Sequence, residues 1–243
     1  MIEMRKALVA NARRYTGPDA TRALLAEGLS VYCHDASFAS AGARDEFARE
    51  FSGCIPLAAI EPEGAVAEAV GDSSLDVLIC NHFQKPEGIP LSETTAEGFR
   101  DSLEALLIEP YRFVHAALPA LQAGTSPRIV LVTSAAGQRP MPKMTMYAAA
   151  RAGADAMVTS LARELGRRGV SVFGIAPVYF TSDDTYPRKA FESNERFRAS
   201  VEKSVPLGRL SNENEMAKLI KYLCTDESEF VTGQIIGFSG GWL

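Results

Sequence analysis

Short apolar, largely β-branched runs recur along the chain, with stretches between them whose apolar residues return at helical spacing. The runs are Ala7-Leu8-Val9, Val31-Tyr32-Cys33, Val77-Leu78-Ile79, Ile129-Val130-Leu131-Val132, Val172-Phe173-Gly174-Ile175 and Ile235-Ile236-Gly237-Phe238. Between them, Asp19 to Glu27, Asp45 to Phe51, Ala65 to Val70, Thr95 to Leu121, Tyr147 to Arg168 and Glu213 to Leu223 carry the helical pattern. Runs with no polar alternation belong to strands buried on both faces, and the intervening helices supply the cover. The pattern therefore predicts an α/β fold, a doubly wound parallel sheet of about seven strands with helices on both faces. Gly28 and Gly169, each just ahead of a strand, read as helix C-caps. The polar segment from Thr181 to Ser204, which holds Pro187, breaks the rhythm. It is expected to form a lid of short helices above the carboxyl ends of the strands, where open α/β sheets bind ligands.

Composition narrows the partners. At 243 residues, 47% hydrophobic and 23% charged, the chain suits a single domain spanning 1–243. A net charge of -5, with no basic run, argues against nucleic acid. Cys33, Cys54, Cys80 and Cys224 lack metal-ligand or disulfide spacing and read as buried thiols of a reducing compartment. No signal-like core and no apolar stretch of about 18 residues is present, so neither export nor membrane insertion is expected and the location is expected to be cytoplasmic.

The turn after the first run bears directly on cofactor use. A strand, a glycine-rich turn and a helix hold a pyrophosphate because glycines let the backbone approach and the helix N-terminus aims N–H groups at the anion. Here the turn reads Asn11-Ala12-Arg13-Arg14-Tyr15-Thr16-Gly17-Pro18, with one glycine. A tyrosine ring at Tyr15 would fill the volume a pyrophosphate needs. Arg13 and Arg14 could pair a phosphate but read more simply as solvated. Asp35 lies where a ribose-binding acid would sit, and a structural role is expected of it once the glycines are gone.

The fourth of these runs ends Val132-Thr133-Ser134, and thirteen residues beyond Ser134 an Ala-rich helix opens with Tyr147-Ala148-Ala149-Ala150-Arg151. Positions i and i+4 share a helix face, so Tyr147 and Arg151 can both turn toward Ser134. A phenol becomes a useful base near neutral pH only when a fixed cation stabilises its phenolate, and an arginine is always charged. Ser134 would hold a substrate oxygen against that phenolate.

A Ser with Y-x-x-x-K is the active-site pattern of short-chain dehydrogenases, whose glycine turn reads T-G-x-x-x-G-x-G. Here Asn11 and Tyr15 replace its first two glycines, only Gly17 matches the last, and arginine replaces the lysine. With these departures the chain resembles the halohydrin dehalogenases, a branch of that superfamily that uses no cofactor. The resemblance runs nearly end to end, through Cys33 to Phe38, Val205 to Leu210, and Gly233-Gln234 with Gly240-Gly241-Trp242. It implies a Rossmann-like fold, no dinucleotide and no metal. The implied catalytic set is Ser134, Tyr147 and Arg151, and the implied reaction is displacement of halide from vicinal haloalcohols to give epoxides, reversible with azide, cyanide or nitrite. It places the halide and substrate beside Tyr15 and the turn Pro177-Val178-Tyr179-Phe180, and it implies a homotetramer built through the two long helices. Backbone contact from the turn is expected to serve the halide, Val178 having no polar side chain. Phe83, Tyr186, Met141 and Met144 could complete the pocket. His82 stands where some members carry an aspartate and is a candidate proton relay. The competing readings are an NAD(P)-dependent carbonyl reductase, against which the helix Asp101 to Glu109 also lacks the asparagine many such enzymes use there, and an inactive binding scaffold.

Overall fold

The computed structural model describes residues 4–243 other than 213, 226, 227 and 229. Seven strands, β1 (Lys6–Ala10), β2 (Ser30–Cys33), β3 (Ile55–Pro56), β4 (Val77–Cys80), β5 (Arg128–Val132), β6 (Ser171–Pro177) and β7 (Ile235–Phe238), form one parallel sheet in the order β3-β2-β1-β4-β5-β6-β7. The helices are α1 (Gly17–Ala26), α2 (Ala41–Glu50), α3 (Pro62–Val70), α4 (Ala96–Leu103), α5 (Glu109–Gln122), α6 (Ala135–Gln138), α7 (Thr145–Leu165), α8 (Arg188–Ser193), α9 (Glu195–Ser204) and α10 (Glu215–Cys224). The fold is the expected Rossmann-like one.

Side chains of alternate residues in a strand point to opposite faces, and the core divides accordingly. Ala7, Val9, Val31, Val77 and Ile79 pack with residues of α1, α2 and α10 on one face. Leu8, Ala10, Leu78, Ile129 and Leu131 pack with α3, α5 and α7 on the other. All four cysteines are buried and free. Strand order reverses between β1 and β4, and ligands of open α/β sheets lie at that crevice, beyond the carboxyl ends.

Three elements differ from the sequence expectation. The strand that no apolar run marks, β3, is two residues long and too short to leave a periodic signature. The helix expected from Thr95 to Leu121 is interrupted at Glu104–Ile108 by a wider turn, in which the Glu109 N–H reaches back five residues to the Glu104 carbonyl. Pro110, having no N–H, cannot resume the i to i−4 pattern at Leu106. The helix expected over Tyr147 to Arg168 begins at Thr145 and tightens over Gly166–Arg168 before Gly169, whose φ of 78° is left-handed as its capping role requires. Of the helix expected from Glu213, that first residue lies outside the described residues. No helix among the described residues is long and apolar enough to cross a membrane.

Candidate active site

Ser134 follows β5 directly. Its hydroxyl oxygen caps the short α6 by accepting the Ala136 N–H at 3.2 Å, which fixes the side chain and leaves its proton to donate elsewhere. Tyr147 and Arg151 lie one turn apart on α7, as their spacing predicts, with the Arg151 guanidinium carbon 5.3 Å from the centre of the Tyr147 ring. Arg151 is completely buried. It donates to the carbonyls of Val132 and His82, each at 2.9 Å, and so is anchored to the ends of β5 and β4. The close approach of α6 to α7 requires Gly137: a Cβ there would stand 2.9 Å from Asp155 Oδ2 and 3.0 Å from the main chain of Arg151 and Ala152.

A cavity of about 70 Å³ opens onto Ser134 and Tyr147. This is well below the several hundred Å³ of sites that take drug-sized ligands, and it suits a substrate of a few heavy atoms. Tyr15, Phe83, Pro177, Val178, Phe180 and Tyr186 line it, as do Met141 and Met144. Pro86, Thr185 and Trp242 line it too, and no motif of the sequence assigns them to it.

Two expected pocket residues lie elsewhere. Tyr179 has a φ of 53°, and this left-handed turn throws its ring away from the cavity to stack on Tyr186 at 5.3 Å. His82 lies buried behind Arg151, where only its carbonyl meets the guanidinium. Among the described residues neither His82 ring nitrogen has a hydrogen-bond partner, and the Glu109 carboxylate lies 3.8 Å from Nε2. Burial, then the neighbouring His34 and the positive charge of Arg151, push the His82 pKa down to about 3, so the ring is neutral at physiological pH. The backbone contact expected of Val178 is also spoken for, since its N–H donates to the Phe238 carbonyl at 3.1 Å.

Tyr15 forms a wall. Its ring stacks on Phe83 at 4.8 Å and meets Phe180 edge-on at 5.6 Å. Burial raises the Tyr15 phenol well above its ordinary range, as does the proximity of Tyr147, so it stays protonated. Beyond Phe83 lies a wider groove of about 700 Å³, lined by Arg13, Arg14, Asp35, Ser37 and Glu109. Asp35 caps the turn at Ala36–Ala39, accepting from Ser37 N at 3.0 Å and Ser37 Oγ at 2.6 Å, which is the structural role anticipated for it. Arg13 pairs with Glu46 at 2.8 Å. Asn81, buried at the end of β4, laces the turn together by donating to the carbonyls of Asn11 and Arg14 and accepting from Thr16.

A family model described as enoyl-(acyl carrier protein) reductase matches residues 16–243. The chain belongs to the short-chain dehydrogenase/reductase superfamily. Among solved structures it is similar to a dehalogenation enzyme, with a TM-score of 0.93, 34% identity and coverage of 100% of this chain and 99% of that one. It is also similar to a halohydrin dehalogenase bound to ethyl (2S)-oxiran-2-ylacetate, with a TM-score of 0.91, 32% identity and coverage of 97% and 96%. Among curated proteins it is 29% identical to a 3-oxoacyl-[acyl-carrier-protein] reductase of Vibrio harveyi over 99% of this chain and 98% of that protein.

Many short-chain dehydrogenases/reductases seat a dinucleotide pyrophosphate on the turn after the first strand. The residues of this chain do not fit that group. Asn11 (φ 55°) and Tyr15 (φ 54°) retain the left-handed backbone that glycine adopts freely, but they carry side chains. The Tyr15 ring fills the space beside Ser134 and Tyr147, and its N–H is taken by the Asp184 carboxylate at 2.7 Å. Gly17 persists for a packing reason: a Cβ there would stand 2.4 Å from the Ala12 carbonyl oxygen, where α1 crosses the end of β1.

Proposed function

We propose that this chain is a halohydrin dehalogenase, a lyase that works without a dinucleotide. The observation that carries the reading is the wall made by Tyr15 against Phe83 and Phe180, which separates Ser134 and Tyr147 from the outer groove and leaves them a cavity sized for a small molecule. The similarity to an enzyme holding an oxirane supports it.

In this mechanism Ser134 donates a hydrogen bond to the substrate oxygen, and Tyr147, as phenolate, accepts the hydroxyl proton. Arg151 supplies the fixed positive charge beneath the Tyr147 ring. The substrate alkoxide then attacks the neighbouring carbon. A C–O bond closes the epoxide while the C–halogen bond breaks, its electron pair leaving as halide, and no hydride moves. The halide departs toward the ring edges of Tyr15, Phe83 and Phe180, whose partial positive charge faces outward. In reverse, a small anion such as azide, cyanide or nitrite opens the epoxide as Tyr147 returns its proton.

The test is halide release from 1,3-dichloro-2-propanol by purified protein with no nucleotide added. Release abolished in Tyr147→Phe and Arg151→Ala is the expected result. The similarity to 3-oxoacyl-[acyl-carrier-protein] reductases supports a second reading, a nucleotide-dependent reductase. NADPH oxidation against a carbonyl panel, with no halide release, would establish it instead.

A further inference from the structure

The segment between β6 and α8 folds back on itself. Thr181 and Ser182 bridge to Tyr186, and Asp184 N–H and Thr185 N–H turn inward to Ser182. Thr185 and Tyr186 present their side chains to the cavity. From this strap the half-buried Asp184 reaches across 169 positions of sequence to accept the Tyr15 N–H at 2.7 Å, while its neighbour Asp183 stays exposed.

The N–H that Asp184 takes belongs to the turn at the head of α1. N–H groups there, with the helix dipole behind them, favour an anionic partner. Tyr15 also holds a left-handed backbone conformation that a bulky residue adopts only when its surroundings enforce it. A charge-assisted bond at 2.7 Å is such an enforcement, because releasing it frees Tyr15 to relax and withdraws its ring from Phe83 and Phe180. The same bond holds down the strap that carries Thr185 and Tyr186, so one carboxylate fixes two walls of the cavity.

We propose that Asp184 is the positioning residue that seats Tyr15 in the cavity wall and ties the 181–187 strap down over it, a carboxylate of the chain itself holding the turn that a phosphate holds in dinucleotide-binding relatives. The substrate named in the test rests on the dehalogenase reading; the seating of Tyr15 does not.

Two measurements on Asp184→Ala, with the milder Asp184→Asn and the charge-conserving Asp184→Glu beside it, decide the matter. Hydrogen exchange should quicken by about tenfold or more at the Tyr15 amide and through 181–187 in Asp184→Ala, with the rest of the sheet unchanged. KM for 1,3-dichloro-2-propanol should rise by about tenfold, with kcat less affected, since the reacting groups Ser134, Tyr147 and Arg151 are untouched. Asp184→Asn should fall between, Asp184→Glu should restore much of both, and Asp183→Ala should alter neither. Unchanged exchange at Tyr15, or quickened exchange with KM unaltered, overturns the proposal. If the wild-type protein releases no halide, the dehalogenase reading fails, and the exchange measurement alone decides on Asp184.

Discussion

Arg151 donates to the main-chain carbonyl of His82 at 2.9 Å, and its second terminal nitrogen donates to that of Val132 at the same distance. The cation beneath Tyr147 is thereby a strut between β4 and β5 as well as a charge. A planar fork can span two carbonyls while lying under an aromatic ring; a compact ammonium cannot. Arg151→Lys is accordingly expected to lower halide release by roughly 100-fold and to cost about 1–3 kcal/mol of stability through the stranded carbonyl. Turnover and thermal denaturation of the variant would check both, and turnover within a few-fold of wild type would show that charge alone suffices.

Gly137 offers a test of spacing rather than chemistry. An added methyl would press on the main chain of Arg151 and Ala152, so α6 and α7 must separate, carrying Ser134 away from Tyr147. Gly137→Ala should cost about 1–3 kcal/mol for the overpacking, yet about 100-fold in kcat, because positioning errors near an ångström are that expensive. Equal, modest losses in both would show that the approach is slack.

His82 predicts an acid-side loss of stability. Its folded pKa, about 3, lies below the value near 6.5 of an unfolded histidine, so the unfolded chain binds the proton first as pH falls. The stability tied to the neutral ring is complete above about pH 6.5 and shrinks below it, by roughly 2 kcal/mol at pH 5. His34, also held below its ordinary range by burial, acts in the same direction. Denaturant unfolding from pH 7 to 5 should therefore slope more gently in His82→Leu than in the wild type, and identical slopes would contradict the buried, neutral assignment.

Leu106, in the widened turn between α4 and α5, packs on Tyr147, Ala136 and Ala150 and is almost wholly buried. Leu106→Ala should open a void behind the proposed base, costing about 2–5 kcal/mol. A loss of kcat beyond that seen for a core leucine remote from Tyr147 would show that the turn supports the base, and a loss no greater would leave it a packing element.

The Ser134, Tyr147 and Arg151 arrangement was legible in the sequence because helical spacing fixes the Tyr–Arg pair locally and a strand end fixes the serine. The absence of the glycine turn was legible in the same local way. What escaped was set by distant parts of the chain. Asp184 gave no sign of its partner 169 residues away, and Thr185 and Trp242 reach the cavity only once the strap and the tail fold inward. Tyr179 was expected beside the halide only through the resemblance, and its left-handed φ of 53°, which no sequence pattern announces, goes with a ring stacked on Tyr186 rather than lining the cavity. His82 was expected in the pocket as a candidate relay, yet its carbonyl rather than its ring makes the contact with Arg151.

The shortness of β3 has a consequence for how the molecule behaves in a crowded solution. Leu57 directs its N–H inward to the Cys33 carbonyl, at 2.8 Å, so by the alternation of a strand the neighbouring Pro56 faces outward. That outer position has no N–H to offer a passing strand, and the rim it belongs to is only two residues long. An open sheet is most vulnerable to aggregation by strand addition along its rims, and on this side the chain ends the sheet with a residue that cannot continue it.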